Sequence, residues 1–330
     1  MRILVTGGSG YVGSVSVEAL VAAGHDVVVL DDLSTGHASA DLAGATFIEG
    51  TYSDRPRVAE ILTETRTEGV LHCAARSLVG ESMRDPGRYY RENVAGGIAL
   101  LEGMRDAGVQ RLVISSTAAV YGVPETTPIV ETAALHPINP YGETKRTLEA
   151  AAGWYAAAYG LRVVSLRYFN VAGASERNGE LHDPETHLVP NILTALAGGP
   201  ALAVFGEDHP TPDGTPIRDY LHVVDLAAAH LAALDATAPD DPRTDVSLVC
   251  NLGAGVGSSV REVLAAAERV VGRAVPHTIE PRREGDPPIL VASIARAASV
   301  LGWRPAHSSL DEMIASAWAF RRNGAQIAGS

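Results

Sequence analysis

The feature that most constrains the fold is a glycine-rich turn directly after the first apolar run of the chain. Gly7, Gly10 and Gly13 recur at every third position between the run Ile3–Thr6 and a helix-like segment. Glycine at such positions permits a tight turn, close approach of the backbone to a pyrophosphate, and packing of helix on strand. Asp31 ends the next apolar run, where it can bind ribose hydroxyls. These features predict a dinucleotide site, and the carboxylate favours NAD over NADP because it would repel a 2′-phosphate.

Apolar runs and helix-like segments alternate along the first half of the chain. The predicted strands are Ile3–Thr6, Val27–Leu30, Thr46–Glu49, Val70–His72, Arg111–Ser115 and Arg162–Arg167. The predicted helices are Val12–Ala23, Arg55–Thr65, Tyr89–Ala107 and Tyr141–Tyr159. This alternation predicts an α/β fold of the Rossmann type, a doubly wound parallel sheet with helices on both faces.

The pattern becomes irregular after Arg167, and the stretch Asn170–Asp219 is rich in Gly, Pro, Asp and His, as ligand-binding loops are. The apolar helix Val223–Asp235 is assigned to the first domain, and Pro239–Thr244 is expected to be a surface loop. We therefore expect an NAD-binding domain at 1–169 plus about 219–238. A smaller, discontinuous α/β substrate domain is expected at 170–218 and 239–330, with predicted helices Val260–Val271 and Leu310–Arg321.

Composition excludes several function classes. The formal net charge is −13 and no run of lysine or arginine occurs, whereas a nucleic-acid partner requires a basic surface. The first apolar run is too short for a signal peptide or a membrane span, so we expect a cytoplasmic protein without a membrane partner. The two cysteines, Cys73 and Cys250, lie in apolar stretches and show no metal-ligand spacing, so no metal is expected.

A tyrosine and a lysine are spaced for acid–base chemistry. Tyr141 and Lys145 share one face of a predicted helix because they lie four residues apart. A nearby ammonium and the positive nicotinamide ring of bound NAD both favour the phenolate, so we expect a lowered pKa for Tyr141 and a role as general base. The pair follows Ser115 and Thr117, at the end of a predicted strand, where open α/β sheets bind ligands. An exposed tyrosine and lysine without catalytic role is the alternative.

With these residues the chain resembles the extended short-chain dehydrogenase/reductase superfamily. It is similar, nearly end to end, to the UDP-glucose 4-epimerases in the stretches Leu78–Ser82, Leu166–Asn170, Asp213–Thr215, Arg218–Tyr220, Asn251–Gly255 and Pro281–Asp286. The resemblance implies an isomerase with tightly bound NAD that interconverts UDP-glucose and UDP-galactose through a 4-keto sugar. It also implies a homodimer formed through two helices beside the cofactor domain.

The resemblance also assigns roles to individual residues. Tyr141 would be the catalytic base, Lys145 would bind the nicotinamide ribose, and Thr117 would bridge the substrate oxygen and the tyrosine. The positions that match cofactor contacts are Gly7, Gly10, Tyr11, Val12, Gly13, Asp31, Asp32, Leu33, Ser34, Thr35, Gly36, Thr51, Tyr52, Ala74, Ala75, Ser77, Asn93, Ser115, Tyr141, Lys145 and Phe169. Those that match substrate contacts are Ser77, Thr117, Tyr141, Asn170, His187, Leu188, Ala203, Phe205, Arg218, Tyr220, Arg283, Asp286 and Leu290.

Five positions depart from the family pattern. Thr51 replaces an acid that contacts adenine, Glu92 replaces an asparagine, and Ser77 replaces a lysine of some members. Thr186 and His187 stand where other members have paired asparagines. The bulky Leu290 favours UDP-glucose and UDP-galactose over N-acetylated sugars.

Three other functions compete with this interpretation. Epimerisation of another UDP-sugar (a pentose, a uronic acid or an N-acetylhexosamine) remains open. A dehydratase would need an acidic pair after Thr117, where Ala118 and Ala119 stand instead. A non-catalytic NAD-binding regulator would be expected to lack Tyr141 or Lys145.

Overall fold

The structure is a computed structural model. It describes residues 1–239, 241, 247–283 and 286–328, without the side chains of 324–328. Most of the expected loop Pro239–Thr244 lies outside the described residues, as do Glu284 and Gly285 of the motif Pro281–Asp286.

A seven-stranded parallel sheet organises the fold. Its strands in spatial order are β10 (Ser247–Leu252), β6 (Arg162–Tyr168), β5 (Arg111–Thr117), β4 (Gly69–His72), β1 (Arg2–Thr6), β2 (Asp26–Asp31) and β3 (Thr46–Glu49). The chain extends the sheet from β1 to β3 on one side and from β4 outward on the other. The order therefore reverses between β1 and β4, which in such sheets opens a crevice at the carboxyl ends of the strands. The α/β, doubly wound class expected from the sequence is confirmed.

Helices cover both faces of this sheet. One face carries α1 (Tyr11–Ala22) and α8 (Val223–Ala236), and the other carries α2 (Arg55–Glu64), α5 (Gly96–Ala107) and α6 (Pro140–Tyr159). Alternate residues of a strand point to opposite faces, so Ile3 and Val5 join the first core while Leu4 joins the second. Helix α8 packs on the face that α1 covers.

Smaller sheets form the rest of the chain. Strand β9 (Ile217–His222) pairs with β7 (Asn170–Ala172), β11 (Gly257–Ser259) and β13 (Ile289–Leu290), while β8 (Leu202–Phe205) pairs with β12 (His277–Glu280). Helices α7 (Leu188–Leu196), α9 (Val260–Val271) and α10 (Leu310–Ala328) pack around a separate apolar core. Ser259 and Glu262 cap α9 reciprocally, each side chain accepting a hydrogen bond from the other's backbone N–H.

Two sequence expectations differ from the observed elements. The expected helix at 89–107 is divided into α4 (Pro86–Tyr89), a π-helical segment (Tyr90–Ala95) and α5; the short α3 (Val79–Arg84) precedes them. The expected second domain at 239–330 is not wholly separate, because β10 pairs with β6 in the large sheet. The π-helical segment Ala297–Leu301 and Trp303 also enter the first core. These pairings join distant parts of the chain, so no local sequence pattern marks them.

Candidate active site

A cavity of about 1510 Å³ opens at the carboxyl ends of the large sheet's strands, between the sheet and the second set of elements. The turn after β1, the end of β2, the segment after β4, the end of β5 and the start of α6 all line it. The far wall comes from the loop before α7, from β8 and from the region around β9 and β13. The lining therefore comes both from the large sheet's strand ends and from the second set of elements.

The glycine turn is shaped for close approach of a ligand. Gly7 has φ +73°, and a Cβ there would lie 2.6 Å from the backbone of Ala74. A Cβ on Gly13 would lie 2.0 Å from the carbonyl oxygen of Gly7. At Gly10 the only neighbour of a Cβ within 4 Å is the Gly7 oxygen at 3.5 Å. Gly7 and Gly13 therefore maintain the tight turn, whereas Gly10 leaves space on the cavity side.

The start of α1 provides an anion-binding geometry. Gly10 is the N-cap residue and offers no side chain to the first N–H groups of the helix. Those groups and the positive end of the helix dipole face the cavity, which is the arrangement that binds pyrophosphate in dinucleotide folds. The residues present therefore fit the diphosphate of NAD.

Asp31 lies at the end of β2 and is nearly buried. Its carboxylate accepts hydrogen bonds of 2.9 Å from the backbone N–H of Ser9 and of Leu33. Burial raises the pKa of Asp31, and these two hydrogen bonds oppose the rise. Because each carboxylate oxygen has a second acceptor site, the side chain can still accept from ribose hydroxyls.

Tyr141, Lys145 and Thr117 meet at the junction of β5 and α6. The Lys145 ammonium is buried and donates a 2.7 Å hydrogen bond to the backbone oxygen of Ser115. Burial lowers the pKa of Lys145 to about 8. Asn139 caps α6 by accepting from the Gly142 N–H at 2.8 Å, which fixes the helix start beside Thr117.

The pKa of Tyr141 differs from the sequence expectation. Burial raises it above the ordinary value of a tyrosine, and a hydrogen bond with Thr117 opposes the rise. The expected lowering is absent from the protein alone because burial of the phenol outweighs the hydrogen bond with Thr117. A cation placed beside the phenol is needed to favour the phenolate.

Two arginines line the far end of the cavity. The Arg218 guanidinium forms a 2.5 Å ion pair with Asp286 and donates to the backbone oxygen of Ile217 at 2.8 Å. The Arg283 guanidinium lies 3.9 Å from the ring centroid of Phe205, which is a cation–π contact. Planar guanidinium groups match the geometry of phosphate oxygens, so this end fits a second diphosphate.

The structure brings most of the sequence-predicted site residues into this one cavity. The lining includes Gly7, Gly10, Tyr11, Val12, Gly13, Asp31, Asp32, Ser34, Thr35, Gly36, Thr51, Tyr52, Ala74, Ala75, Ser77, Thr117, Tyr141, Lys145, Phe169, Asn170, His187, Leu188, Ala203, Phe205, Arg218, Tyr220, Arg283, Asp286 and Leu290. These residues come from both the first and the last third of the chain.

Three residues that were expected to contact the cofactor are not part of the cavity lining. The Leu33 N–H is bonded to Asp31, and Ser115 uses its backbone oxygen to hold Lys145. The Asn93 side chain is buried, with Nδ2 donating to the Arg76 backbone oxygen at 2.9 Å and Oδ1 accepting from the Arg76 N–H at 2.8 Å. The Leu33 N–H and the Asn93 side chain are thus already engaged, and Ser115 acts through Lys145.

Arg76 also lines the cavity, although no motif in the sequence indicated it. Its guanidinium pairs with Glu92, which also accepts a 2.9 Å hydrogen bond from Arg88. Glu92 therefore does not bring an unpaired negative charge to the cofactor end, although it replaces an asparagine. The signal available in the sequence was the opposite charge of the residues at positions 76 and 92.

Comparisons with known proteins agree with this geometry. Residues 3–250 match the model of the NAD dependent epimerase/dehydratase family. The chain belongs to this family. A curated UDP-glucose 4-epimerase of Lactobacillus helveticus is 48% identical over 98% of both chains. The family indicated by the sequence motifs, that of the UDP-glucose 4-epimerases, is thus confirmed.

Solved structures of epimerases superpose closely on this family member. A Brucella ovis UDP-glucose 4-epimerase in complex with NAD is 45% identical, with TM-score 0.93, over 97% of this chain and 98% of that one. An epimerase of Stenotrophomonas maltophila with bound NAD and formylated UDP-arabinopyranose is 41% identical, with TM-score 0.94, over 99% of each chain. None of the helices in the described part of the chain has the length and apolar character of a membrane span.

Proposed function

We propose that the protein is an NAD-dependent UDP-glucose 4-epimerase, an isomerase that interconverts UDP-glucose and UDP-galactose. The observation that carries the proposal is the single cavity that joins the glycine turn, the Tyr141–Lys145 pair and the two arginines. An epimerase must hold a dinucleotide and a nucleotide sugar together, and the cavity has an anion-binding region at each end.

The glycine turn, Asp31 and Lys145 hold NAD, which when bound supplies the reversible oxidation of the sugar carbon. Tyr141 removes the proton of the sugar 4-hydroxyl and returns it after the 4-keto sugar has turned over. Thr117, hydrogen-bonded to Tyr141, holds the sugar oxygen in line with the phenol. Arg218 and Arg283 bind the UDP diphosphate and leave the sugar near Tyr141.

The direct test follows UDP-galactose conversion without added NAD. The purified protein is denatured in parallel to release any cofactor for quantification. We expect UDP-glucose to form and NAD to be recovered. If NAD is recovered but UDP-galactose is not converted, the substrate assignment is wrong and the cofactor assignment still holds. If the protein neither converts UDP-galactose nor binds added NAD, both the substrate and the cofactor assignments are wrong.

The identity of the sugar is tested in the same assay. Leu290 lies on β13 in the cavity wall. Its bulk supports a preference for unsubstituted hexoses, so we expect slower conversion of UDP-N-acetylglucosamine. Faster turnover of a pentose or uronic acid derivative would favour the alternative epimerase specificity over UDP-glucose. Bound NAD without turnover of any of these sugars would favour the non-catalytic regulator.

A substitution in the glycine turn tests the cofactor site. Gly13→Ala places a methyl group 2.0 Å from the Gly7 oxygen, so the turn must shift. We expect the free energy of unfolding to fall by about 1–3 kcal/mol and the NAD content to drop. The control is Gly153→Ala in α6, where the new methyl meets, among the described residues, no atom within 4 Å outside the backbone of its own helix. Equal NAD contents in the two variants would contradict this assignment of the turn.

We also propose that the protein is a cytoplasmic homodimer. Support comes from the outer faces of α5, α6 and the π-helical segment before α5, where Tyr90, Ile98, Trp154 and Tyr159 are exposed, Trp154 by 76%. Clustered apolar surface of this kind is typical of an interface, and most interfaces of homo-oligomers are symmetric. Sedimentation velocity should give twice the mass of 34.5 kDa, and Trp154→Asp should shift the protein to the monomer.

A further inference from the structure

Four side chains that commonly bind metals meet in the loop between β7 and α7. Glu180, His182, Glu185 and His187 each present one ligand atom, and these four atoms lie within 4.8 Å of one another. The Nδ1 atoms of His182 and His187 are 2.9 and 2.7 Å from the same Oε1 of Glu180. His187 Nδ1 is also 2.9 Å from Oε1 of Glu185. No metal was expected from the spacing of the two cysteines, and these four residues are not part of that pattern.

The two imidazole rings have too few hydrogens to make a separate hydrogen bond at each of the three Nδ1–Oε1 contacts. An imidazole Nδ1 carries at most one hydrogen, so the two rings have two hydrogens for three contacts. The His187 hydrogen would have to be shared between two carboxylates. A cation at the centre would instead meet a lone pair of each of the four atoms.

The charge of the cluster also favours a cation. The Glu180 side chain is 7% exposed and the Glu185 side chain 18% exposed. Two partly buried carboxylates are costly unless paired. In the described part of the chain their ion pairs are made with histidine. A divalent ion with two neutral imidazoles would balance both charges.

We propose that Glu180, His182, Glu185 and His187 form a binding site for a divalent transition-metal ion, with Zn²⁺ as the best match. Two imidazole nitrogens and two carboxylate oxygens suit Zn²⁺ in four-coordinate geometry, with bonds of about 2.0–2.2 Å. Tetrahedral bonds of that length separate the ligand atoms by about 3.4 Å. The pairs now at 2.7–2.9 Å would therefore open by roughly half an ångström on binding.

The site would tie the loop to two parts of the cavity wall. The His182 ring meets the Tyr11 ring edge-on, with centroids 6.4 Å apart, and Tyr11 belongs to the start of α1. The Tyr11 hydroxyl also donates to the Gly173 oxygen at 2.6 Å, near the beginning of the loop. His187 is the N-cap residue of α7. A bound ion would therefore fix the loop between the glycine turn and α7, whichever sugar the enzyme takes.

Calorimetric titration of the chelator-stripped full-length protein with Zn²⁺ tests the proposal, without any assay of epimerase activity. We expect one Zn²⁺ per chain. The double variant His182→Asn/His187→Asn removes two of the four ligands. It should weaken Zn²⁺ binding by more than about 100-fold, because losing a residue that merely orients a metal ligand already costs about 10–100-fold. The control His136→Gln removes an exposed imidazole outside the cluster and should bind like the parent.

A milder variant separates loss of a ligand from loss of the fold. Glu185→Gln keeps the shape of the side chain and should also weaken Zn²⁺ binding, while its melting temperature without metal stays near that of the parent. Zn²⁺ should raise the melting temperature of the parent more than that of either variant. Co²⁺ should give the intense visible absorption of a tetrahedral site in the parent alone. Equal Zn²⁺ affinity in the parent and the double variant, or no binding by the parent, would overturn the proposal.

Discussion

Tyr141→Phe should lower the epimerase turnover rate by about 10²–10⁴-fold, the usual contribution of a positioned acid–base group. The variant loses only the phenolic oxygen, which lies at the junction of β5 and α6 and is hydrogen-bonded to Thr117. Steady-state conversion of UDP-galactose at neutral pH measures the effect. The NAD content should remain that of the parent, because the glycine turn and Asp31 are unchanged.

The matched control for this variant is Tyr159→Phe. Tyr159 lies at the last turn of the same helix and is half-exposed, so its hydroxyl is far from the cavity lining. Its turnover should equal that of the parent. A Tyr141→Phe enzyme that keeps NAD and loses less than tenfold in rate would show that another group is the base.

Glu149→Ala should destabilise the fold by about 3–5 kcal/mol, because it leaves a buried guanidinium without its counter-charge. The Glu149 carboxylate accepts hydrogen bonds from Arg167 Nε at 3.0 Å and Nη2 at 2.6 Å, and from the Ser116 hydroxyl. The two charged side chains are only 7% and 5% exposed. Arg167 also lies 5.1 Å from the centroid of the Tyr121 ring, which does not replace the lost carboxylate. Urea unfolding followed by circular dichroism measures the change.

Glu143→Ala provides the comparison on the same helix. Its ion pair with Arg146, at 2.7 Å, is solvated, and both side chains are about a third or more exposed. Exposed pairs contribute about 0–1 kcal/mol, so this variant should unfold nearly like the parent. Similar losses in the two variants would mean that the buried pair is not a major source of stability.

The local sequence was sufficient for the main elements of the large sheet. The strands around Ile3–Thr6 and Val27–Leu30 were predicted because continuous β-branched runs mark strands buried on both faces. The glycine turn and Asp31 were predicted with them, since their spacing within one βαβ unit is itself the signal. Tyr141 and Lys145 were predicted because helical periodicity places them on one face.

Tertiary structure decided what depends on distant contacts. The strand β10 joins the sheet by pairing with β6, and Arg76 in the cavity wall is held by Asn93 and Glu92. The raised pKa of Tyr141 is also a tertiary effect, because it comes from burial of the phenol in the folded chain.

The sequence by itself determined the fold class, the glycine turn and the spacing of Tyr141 and Lys145 on one helix face, because each rests on residues close together in the chain. The tertiary structure alone decided how the arginines of the far wall face that pair across one cavity. It also decided that Glu180, His182, Glu185 and His187 converge. Those four lie in an irregular loop, where no period fixes the directions of the side chains, so only packing against Tyr11 and α7 can bring them together.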